Sequence, residues 1–473
     1  MPQDLTARTP RTPRPPHPDL GARLPSPTGD SGPAAPAAPG RTLAAALLGF
    51  FLITLDASVV NVALPAIGDD LHGGLSALQW VVDGYTLAFA ALMLSTGALS
   101  DRIGAGRAFA GGVVVFAASS LVCGAAPGLG VLVAARVVQG AAAAVMMPSS
   151  LALVRQAYPD PVRRTRAISL WATGGSTAIA LGPVAGGVLT TALDWRAIFL
   201  VNLPFALLAL PLARTARSAR RPAPLDLPGQ FTAVLALGAA TFAVIEGGVR
   251  GWAAAGLAAV AAAGFVAAET RHPHPVVPFG LFRNAAFAVA VAAGSALSVG
   301  FFGMFFVLGL FFQQVRGESA LAAGLMFLPM TILISTVNVV SGRVTNRFGP
   351  RLPMVAGQLV MAAGLLALLP VGRDTPALAV ALLMIPLGLG GALAVPALTA
   401  SAMSAVPAER AGLAAGVLNA ARQVAGALSV ALFGSLVARP GFLPGLHQSL
   451  LVAAALVLAT AAATAVALRA PAR

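Results

Sequence analysis

Lysine is absent from this chain of 473 residues, and all 30 of its basic residues are arginine. A P-loop places a lysine on the nucleotide phosphates, and Schiff-base enzymes use a lysine amine. The absence therefore excludes a Walker-type ATPase site and a lysine-based covalent mechanism in this chain. Cysteine is almost absent too, because Cys123 is the single one and cannot form an internal disulfide. Since it lies in an apolar run, we predict that Cys123 is a small core residue.

Charged residues are also scarce along the chain. They make up 10% of the sequence, whereas hydrophobic residues make up 58% and the mean hydropathy is +0.85. An ordinary soluble domain is about 25% charged, so this chain has more apolar surface than a water-soluble core can bury. It is predicted to be an all-α membrane protein whose helices of about 20 residues cross the lipid bilayer. The motifs HExxH and GxSxG are missing, and we expect no enzyme activity, no metal site and no cofactor.

Fourteen apolar spans follow a polar N-terminal segment. Residues 1–40 contain eleven prolines and almost no large apolar side chains, which predicts a disordered tail without a signal peptide. Beyond Arg41, apolar runs alternate with short arginine-bearing loops, and most runs can cross about 30 Å of hydrocarbon. The predicted spans are 42–65, 78–99, 108–127, 129–152, 166–190, 195–213, 227–247, 252–268, 285–312, 320–341, 352–370, 375–400, 411–437 and 447–468.

The arginines are distributed unevenly between the two sides of these spans. With the N-terminus placed inside, the inner tails and loops hold 23 arginines and the outer loops hold five, while Arg136 and Arg422 fall within spans. This bias is the positive-inside pattern of membrane proteins. It predicts a multi-pass protein of the plasma (inner) membrane with both termini in the cytoplasm and an even number of spans. It also explains the net charge of +14 without nucleic acid.

One loop pattern occurs twice. The loop after span 2 reads GALSDRIGAGR, residues 97–107, and the loop after span 10 reads GRVTNRFGPR, residues 342–351. If spans 7 and 8 are an insertion, each loop follows the second helix of a six-helix unit, as in transporters built from repeats. The sequence thus predicts four regions, which are the disordered tail 1–40, a six-helix half at 41–213, two inserted helices with flanking loops at 214–284, and a second six-helix half at 285–473.

Several segments resemble signatures of one transporter family. GALSDRIGAGR resembles the signature between helices 2 and 3 of the major facilitator superfamily, RVVQGAAAAVMMPSS (136–150) that of helix 4, and GPVAGG (182–187) the antiporter signature of helix 5. LDASVVNVALP, FFQQVRGESALAAGLMFLP and GVLNAARQVAGAL are similar to segments of its fourteen-span drug:proton antiporter branch. The similarity covers about residues 42–468. The departures are small: Ala105 and Gly106 replace the usual basic residues, and Asn346 replaces an acid.

This resemblance implies proton-coupled efflux of small amphipathic drugs or antibiotics by alternating access. The expected partners are a small-molecule substrate, protons and the lipid bilayer, and the protein is expected to be a monomer. An exporter that is specific for one metabolite or one self-made antibiotic would use the same chemistry and is the alternative. A channel, which would lack proton coupling, is a further and different class.

Asp56 and Arg136 are charged residues within apolar spans. A charge at the bilayer centre costs about 2.5–3.5 kcal/mol, so such a residue must face a cavity, find a partner or be neutral. At 1.5 Å per residue, Asp56 lies about 14 Å and Arg136 about 9 Å from the outer ends of their spans. Gln139 lies one turn beyond Arg136. We predict a protonation-sensitive pair, with a purely structural pair as the alternative, and Asp83 as a second candidate for proton coupling.

The first span carries polar residues on two faces. On a helical wheel, Thr54, Ser58 and Asn61 form one stripe, whereas Asp56 lies nearly opposite. We therefore expect protein rather than lipid around this helix, with one face on a cavity and the other on a neighbouring helix. The phenylalanines of span 9 could line the same cavity, or they could face lipid and pack. The candidate cavity residues are Asn61, Gln139, Phe301 and Phe305.

An inner gate is predicted after span 2. Glycines there permit tight turns and close approach, and an acid could accept hydrogen bonds from the opposite half. Topological anchoring by the positive charges is the alternative. The predicted gate residues are Gly97, Asp101, Arg102, Gly104 and Arg107.

Span 5 has a face of small residues. Such residues, spaced four positions apart, let two helices approach closely, and a proline among them removes one backbone hydrogen bond. That this packing seals a leak path and favours antiport is implied by the resemblance. The residues of this motif are Gly182, Pro183, Gly186 and Gly187.

Overall fold

The chain folds into helices throughout the part that the structure describes. The computed structural model describes residues 39–214, 226–272, 275, 277–407, 410–439 and 441–468. No strand occurs among them, as the predicted all-α class requires. Most of the predicted tail and the arginine-bearing segment 215–225 lie outside the described residues. The helices are α1 (Pro39–Asp70), α2 (Leu75–Ile103), α3 (Ala105–Gly124), α4 (Leu129–Ala157), α5 (Pro161–Ala192), α6 (Ala197–Leu200), α7 (Asn202–Arg214), α8 (Leu227–Glu246), α9 (Gly248–Arg271), α10 (Ala285–Ser298), α11 (Met304–Leu310), α12 (Ala320–Phe348), α13 (Arg351–Ala367), α14 (Ala377–Leu383), α15 (Ile385–Ser404), α16 (Ala411–Val437) and α17 (Phe442–Ala467).

Twelve segments of the described chain are long and apolar enough to cross a membrane. Two further apolar helices are shorter, at Ala197–Ala213 and Arg351–Ala367, and they coincide with the predicted spans 195–213 and 352–370. The first of these is interrupted between α6 and α7. A proline ring clashes with the carbonyl four residues before it, and for Pro204 that residue is Leu200, where α6 ends. The break begins the second helix at Asn202.

The predicted span 285–312 is a helix with two irregular turns. It runs to Val315, and π-helical turns at Val299–Gly303 and Phe311–Val315 flank α11. Such turns insert one residue into the helical ladder and recur at functional sites. The first of them carries Phe301 and Phe302 into the centre of the protein.

The face of small residues on α5 packs against two neighbouring helices, α1 and α12. A Cβ at Gly186 would lie 2.7 Å from the Val59 carbonyl, so α5 and α1 are in backbone contact. A Cβ at Gly187 would lie 2.7 Å from the Ala320 carbonyl, which brings α5 equally close to α12. Gly182 lies against Ser58 of α1, and the Pro183 carbonyl lies against Gly324 of α12. The predicted close packing is therefore present, and it joins helices that are far apart in sequence.

Two groups of helices meet at one end of the bundle. We name the first helix group (α1–α7), the second helix group (α10–α17), and the two ends by Arg41 and Asp70, which lie near the start and at the end of α1. Gln79 of α2 donates to the Val430 and Ala431 carbonyls of α16, at 3.3 and 2.8 Å. Gln313 donates to the Val62 carbonyl of α1 at 3.0 Å. Among the described residues, all hydrogen bonds between the two groups lie towards the Asp70 end.

Helices α8 and α9 lie at the periphery. Only 17% of the apolar segment of each helix is buried inside the protein, and large side chains such as Trp252 and Val260 are exposed. The pair is attached to α2, since Gln230 donates to the Ala91 carbonyl at 2.7 Å and accepts a hydrogen bond from Ser95. An exposed apolar surface of this kind suits contact with lipid.

Candidate functional site

A central cavity lies between the two helix groups. Its volume is about 260 Å³, and α1, α2, α5, α11, α16 and the first π-helical turn contribute to its walls. Thr54, Ser58 and Asn61 line it, as the helical wheel of the first span predicts. Phe301 and Phe305 line the opposite side. The cavity extends to Phe50, Met93 and Met147, towards the Arg41 end.

Asp56 faces away from this cavity and forms a buried network. Its Oδ2 accepts a hydrogen bond from Arg136 Nη1 at 2.5 Å, and its Oδ1 accepts from Gln139 Nε2 at 2.9 Å and from Asn202 Nδ2 at 2.7 Å. The side chains of Asp56 and Arg136 are 0% and 1% exposed. Three donors compensate the charge of one carboxylate, which explains how an acid is retained inside an apolar bundle.

Arg136 is held on every side by first-group helices. Its Nε donates to the Val81 carbonyl at 3.0 Å, and Nη1 also donates to Gln139 Oε1 at 2.8 Å. The guanidinium lies 4.3 Å from the centre of the Tyr85 ring, a cation–π distance. Gly140, one turn further along α4, makes this possible, because a Cβ there would overlap the Tyr85 carbonyl. A glycine thus lets α4 approach α2 until the arginine reaches Val81.

Tyr85 separates the network from the cavity. Its ring stacks on Arg136, its hydroxyl donates to the Ile53 carbonyl at 3.0 Å, and it also lines the cavity.

Gln139 is not the cavity residue that we expected. It is 0% exposed, and its amide bridges Asp56 and Ser120. It faces α1 and α3 rather than the cavity, because the Asp56 and Ser120 oxygens satisfy its donors there.

Ser120 and Asn202 belong to the network but were not predicted from the sequence. Asn202 Nδ2 bonds Ser120 Oγ at 3.1 Å in addition to Asp56. Both side chains are 0% exposed. The available signal was a lone amide in the apolar run AIFLVNLPF, two residues before the proline that breaks the helix.

Asp83 is a second buried acid, with very different surroundings. It is 0% exposed, and neither carboxylate oxygen has a hydrogen-bond partner among the described residues. The nearby Thr86 hydroxyl donates to the Val82 carbonyl instead, at 3.2 Å. An unpartnered buried carboxylate is costly when charged, so Asp83 lacks the compensation that Asp56 receives from its three donors.

The predicted gate residues lie at the Arg41 end. Asp101, Arg102 and Arg107 are exposed, and none of them forms an ion pair with another described residue. Gly104 has a φ of 93° and joins α2 to α3, so the predicted tight turn is present. Gly97 is different from our expectation: a Cβ there would meet nothing within 4 Å, because this face of α2 lies against open space.

The comparisons with known proteins agree with the motifs. A model of the Major Facilitator Superfamily matches residues 46–430. The methylenomycin A resistance protein of Streptomyces coelicolor is 38% identical over 405 residues, which cover 84% of this chain and 85% of that protein. The multidrug resistance protein Stp of Mycobacterium tuberculosis is 38% identical over 412 residues, 84% and 75% of the two chains. The tetracenomycin C resistance and export protein of Streptomyces glaucescens is 35% identical over 418 residues, 85% and 76%.

Solved transporter structures share the fold. A D-xylose–proton symporter superposes with a TM-score of 0.66 at 16% identity, over 90% of this chain and 97% of the other. An inward-facing bacterial homologue of the lysosomal transporter Spinster gives 0.65 at 16% identity, over 92% and 97%. The family model and the relatives together establish that the chain belongs to the major facilitator superfamily and is a membrane transporter, not an enzyme.

Proposed function

We propose that this protein exports small amphipathic drugs or antibiotics from the cell in exchange for protons. The observation that carries the proposal is the central cavity between two helix groups, beside the buried network of Asp56 and Arg136. Relatives named for resistance to methylenomycin A or for export of tetracenomycin C support efflux as its direction. The proposed location of the protein is the plasma membrane.

The proposed topology has fourteen spans. In addition to the twelve long apolar segments, Ala197–Ala213 and Arg351–Ala367 cross the membrane, and residues 41–213 and 285–473 act as two six-helix halves around the inserted α8 and α9. The arginine bias supports a topology with the Arg41 end and both termini in the cytoplasm. The contacts of Gln79 and Gln313 then close the outer side, and the cavity is reached from the cytoplasm.

Alternating access requires these outer contacts to open while the inner end closes. We propose that Asp101, Arg102 and Arg107 form contacts across the inner end in the outward-facing state. Their exposure here supports this, because they are free for new partners. The backbone contacts of Gly186 and Gly187 keep α5 against α1 and α12, and we propose that they seal the outer half against leakage.

Asp56 and Asp83 are the proposed proton-coupling acids. Protonation of Asp56 would remove the charge that holds Arg136, Gln139 and Asn202 in place. The network would then rearrange around Tyr85 and change the cavity wall. A proton that crosses 100 mV supplies about 2.3 kcal/mol, which sustains roughly a 50-fold substrate gradient at about 1.4 kcal/mol per factor of ten.

An exporter that is specific for one metabolite or one self-made antibiotic is the second candidate. It is favoured by relatives named for a single antibiotic. A substrate screen distinguishes the two, since a specific exporter responds to one chemical scaffold and a multidrug exporter to several.

The test uses inverted membrane vesicles with an acidic interior, to which candidate drugs are added. Antiport predicts a drug-dependent collapse of the pH gradient in the wild type and its loss in Asp56→Asn. The matched control is Asp374→Asn, which changes an exposed acid in the turn before α14. A collapse of equal rate in Asp56→Asn would move proton coupling to Asp83, and the absence of any collapse across a broad panel would contradict multidrug antiport.

A further inference from the structure

We infer that the central cavity binds organic anions, with Arg422 as the group that receives their negative charge. The inference rests on the proposed function and specifies its substrate class as amphipathic acids, such as carboxylic acids or acidic phenols with an aromatic body.

Arg422 lies where two cavities meet. It lines the central cavity of about 260 Å³ and also a neighbouring cavity of about 170 Å³, which Asn338 and Ser298 border. Ile179, Phe301 and Phe302 are shared by both. A ligand in either cavity therefore encounters the same guanidinium.

This guanidinium lacks an ionic partner. Its Nε is buried without a hydrogen-bond partner, and its Nη1 makes a single long contact of 3.5 Å with Asn419 Oδ1. It forms no ion pair with any carboxylate in the part of the chain that the structure describes. A cation that is partly withdrawn from water without a partner is unfavourable, and a carboxylate is the group that matches its parallel N–H donors best.

The aliphatic part of Arg422 packs against a neighbouring helix. Its Cγ and Cδ would lie 3.1 Å from a Cβ at Gly294, so the side chain packs directly on the backbone of α10. The charged tip lies in the wall of both cavities.

Acidic residues are missing from the walls of both cavities. Among the described residues, no aspartate or glutamate lines either of them. Asp56 is fully buried in its own network, and Asp83 is enclosed by protein outside the cavity wall. An organic cation would meet Arg422 with no opposite charge nearby, which disfavours binding of cations.

The rest of the wall suits an aromatic body. Phe301 stacks near Phe305 at 6.0 Å between ring centres and meets Phe302 edge-on at 5.4 Å. Phe302 packs against Gly426, one helical turn beyond Arg422 on α16. A ligand with its anionic group on Arg422 would place its rings against these side chains.

The test is equilibrium binding of three labelled probes to the purified full-length protein in detergent at neutral pH. Naphthoate, naphthamide and naphthylmethylammonium have the same rings and carry a negative, zero and positive charge. We expect naphthoate to bind at least about tenfold more tightly than the other two. Equal affinities, or a preference for the ammonium probe, would overturn the inference.

Arg422→Gln sharpens this test. The variant should lose at least about tenfold in affinity for naphthoate and little for naphthamide, whose retained binding shows that the protein is folded. Arg422→Lys should keep a preference for the anion. An equal loss for both probes would mean that Arg422 only packs. If the variant does not fold, the comparison of probes on the wild type still decides.

Inorganic anions are tested in the same assay. Chloride supplies the charge without the rings, and we expect it to displace naphthoate only weakly. Efficient displacement by chloride at the concentration of the probe would contradict a site for amphipathic acids. Since the binding assay measures no transport, a failure of proton coupling in vesicles leaves these results unaffected. Conversely, proton-coupled export of cationic drugs by a protein that does not bind the anionic probe would overturn this inference and leave the proposed function intact.

Discussion

Arg136 and Arg422 are two arginines inside the same membrane bundle, and their surroundings are opposite. Arg136 has a carboxylate, an amide and a backbone carbonyl as acceptors, with an aromatic ring over its face. Arg422 has one amide oxygen at 3.5 Å and faces a cavity. A charge whose partners are all present contributes to the folded state, whereas a charge without partners is available for a ligand. The first helix group thus carries the network and the second the proposed recognition site.

The largest expected contrast comes from removal of each arginine. Arg136→Leu leaves Asp56 buried without its cation, and we expect the free energy of unfolding to fall by about 3–5 kcal/mol. Arg422→Leu removes a half-buried charge without an ionic partner, and we expect no loss or a small gain. Denaturant unfolding of both variants in detergent measures the difference. Losses of similar size would show that Arg422 has a structural partner after all.

Two glycines test the packing around each arginine. A Cβ at Gly140 meets the backbone of Tyr85, which cannot move aside, and we expect Gly140→Ala to cost about 1–3 kcal/mol. A Cβ at Gly294 meets the flexible stem of Arg422, so Gly294→Ala should cost under about 1 kcal/mol. Thermal unfolding of the two variants compares them. A larger loss of stability for Gly294→Ala than for Gly140→Ala would show that the stem of Arg422 is rigid, contrary to the expected difference between the two arginines.

The smallest contrast concerns two asparagines. Asn202→Ala removes an amide that donates to the Asp56 carboxylate at 2.7 Å, and a loss of about 1.5 kcal/mol is expected. Asn419→Ala removes only the 3.5 Å contact with Arg422, for which we expect less than about 0.5 kcal/mol. Thermal unfolding of the two asparagine variants measures the difference between these losses of stability. A large effect of Asn419→Ala would mean that this amide holds the guanidinium in place.

The sequence was sufficient to predict the membrane class and the geometry of the Asp56–Arg136 pair. Hydropathy reports membrane crossing directly, and depth along two helices is fixed by the rise per residue. The polar stripe of α1 was equally predictable, because helical periodicity determines which residues share a face.

Other features depend on tertiary structure that a single sequence does not specify. Asn202 reaches Asp56 because the helix breaks before it, and a proline does not reveal which group the next turn will approach. The rotation of α16 about its own axis decides whether Arg422 faces lipid, protein or a cavity, and no residue within that helix determines it. The burial of Gln139 outside the cavity and the open space beside Gly97 were not predictable for the same reason, since each depends on how the neighbouring helices are placed.

The closure at the Asp70 end is made by amide side chains and backbone carbonyls, and Gln79 donates to two such carbonyls at once. Neither partner titrates, and neither carries a net charge that the membrane voltage could move. This seal should therefore hold equally well in acidic and alkaline media and at any ionic strength. Any dependence of transport on acidity must arise elsewhere in the protein, and a substitution of Gln79 should alter how often the Asp70 end opens without shifting the pH at which the protein works.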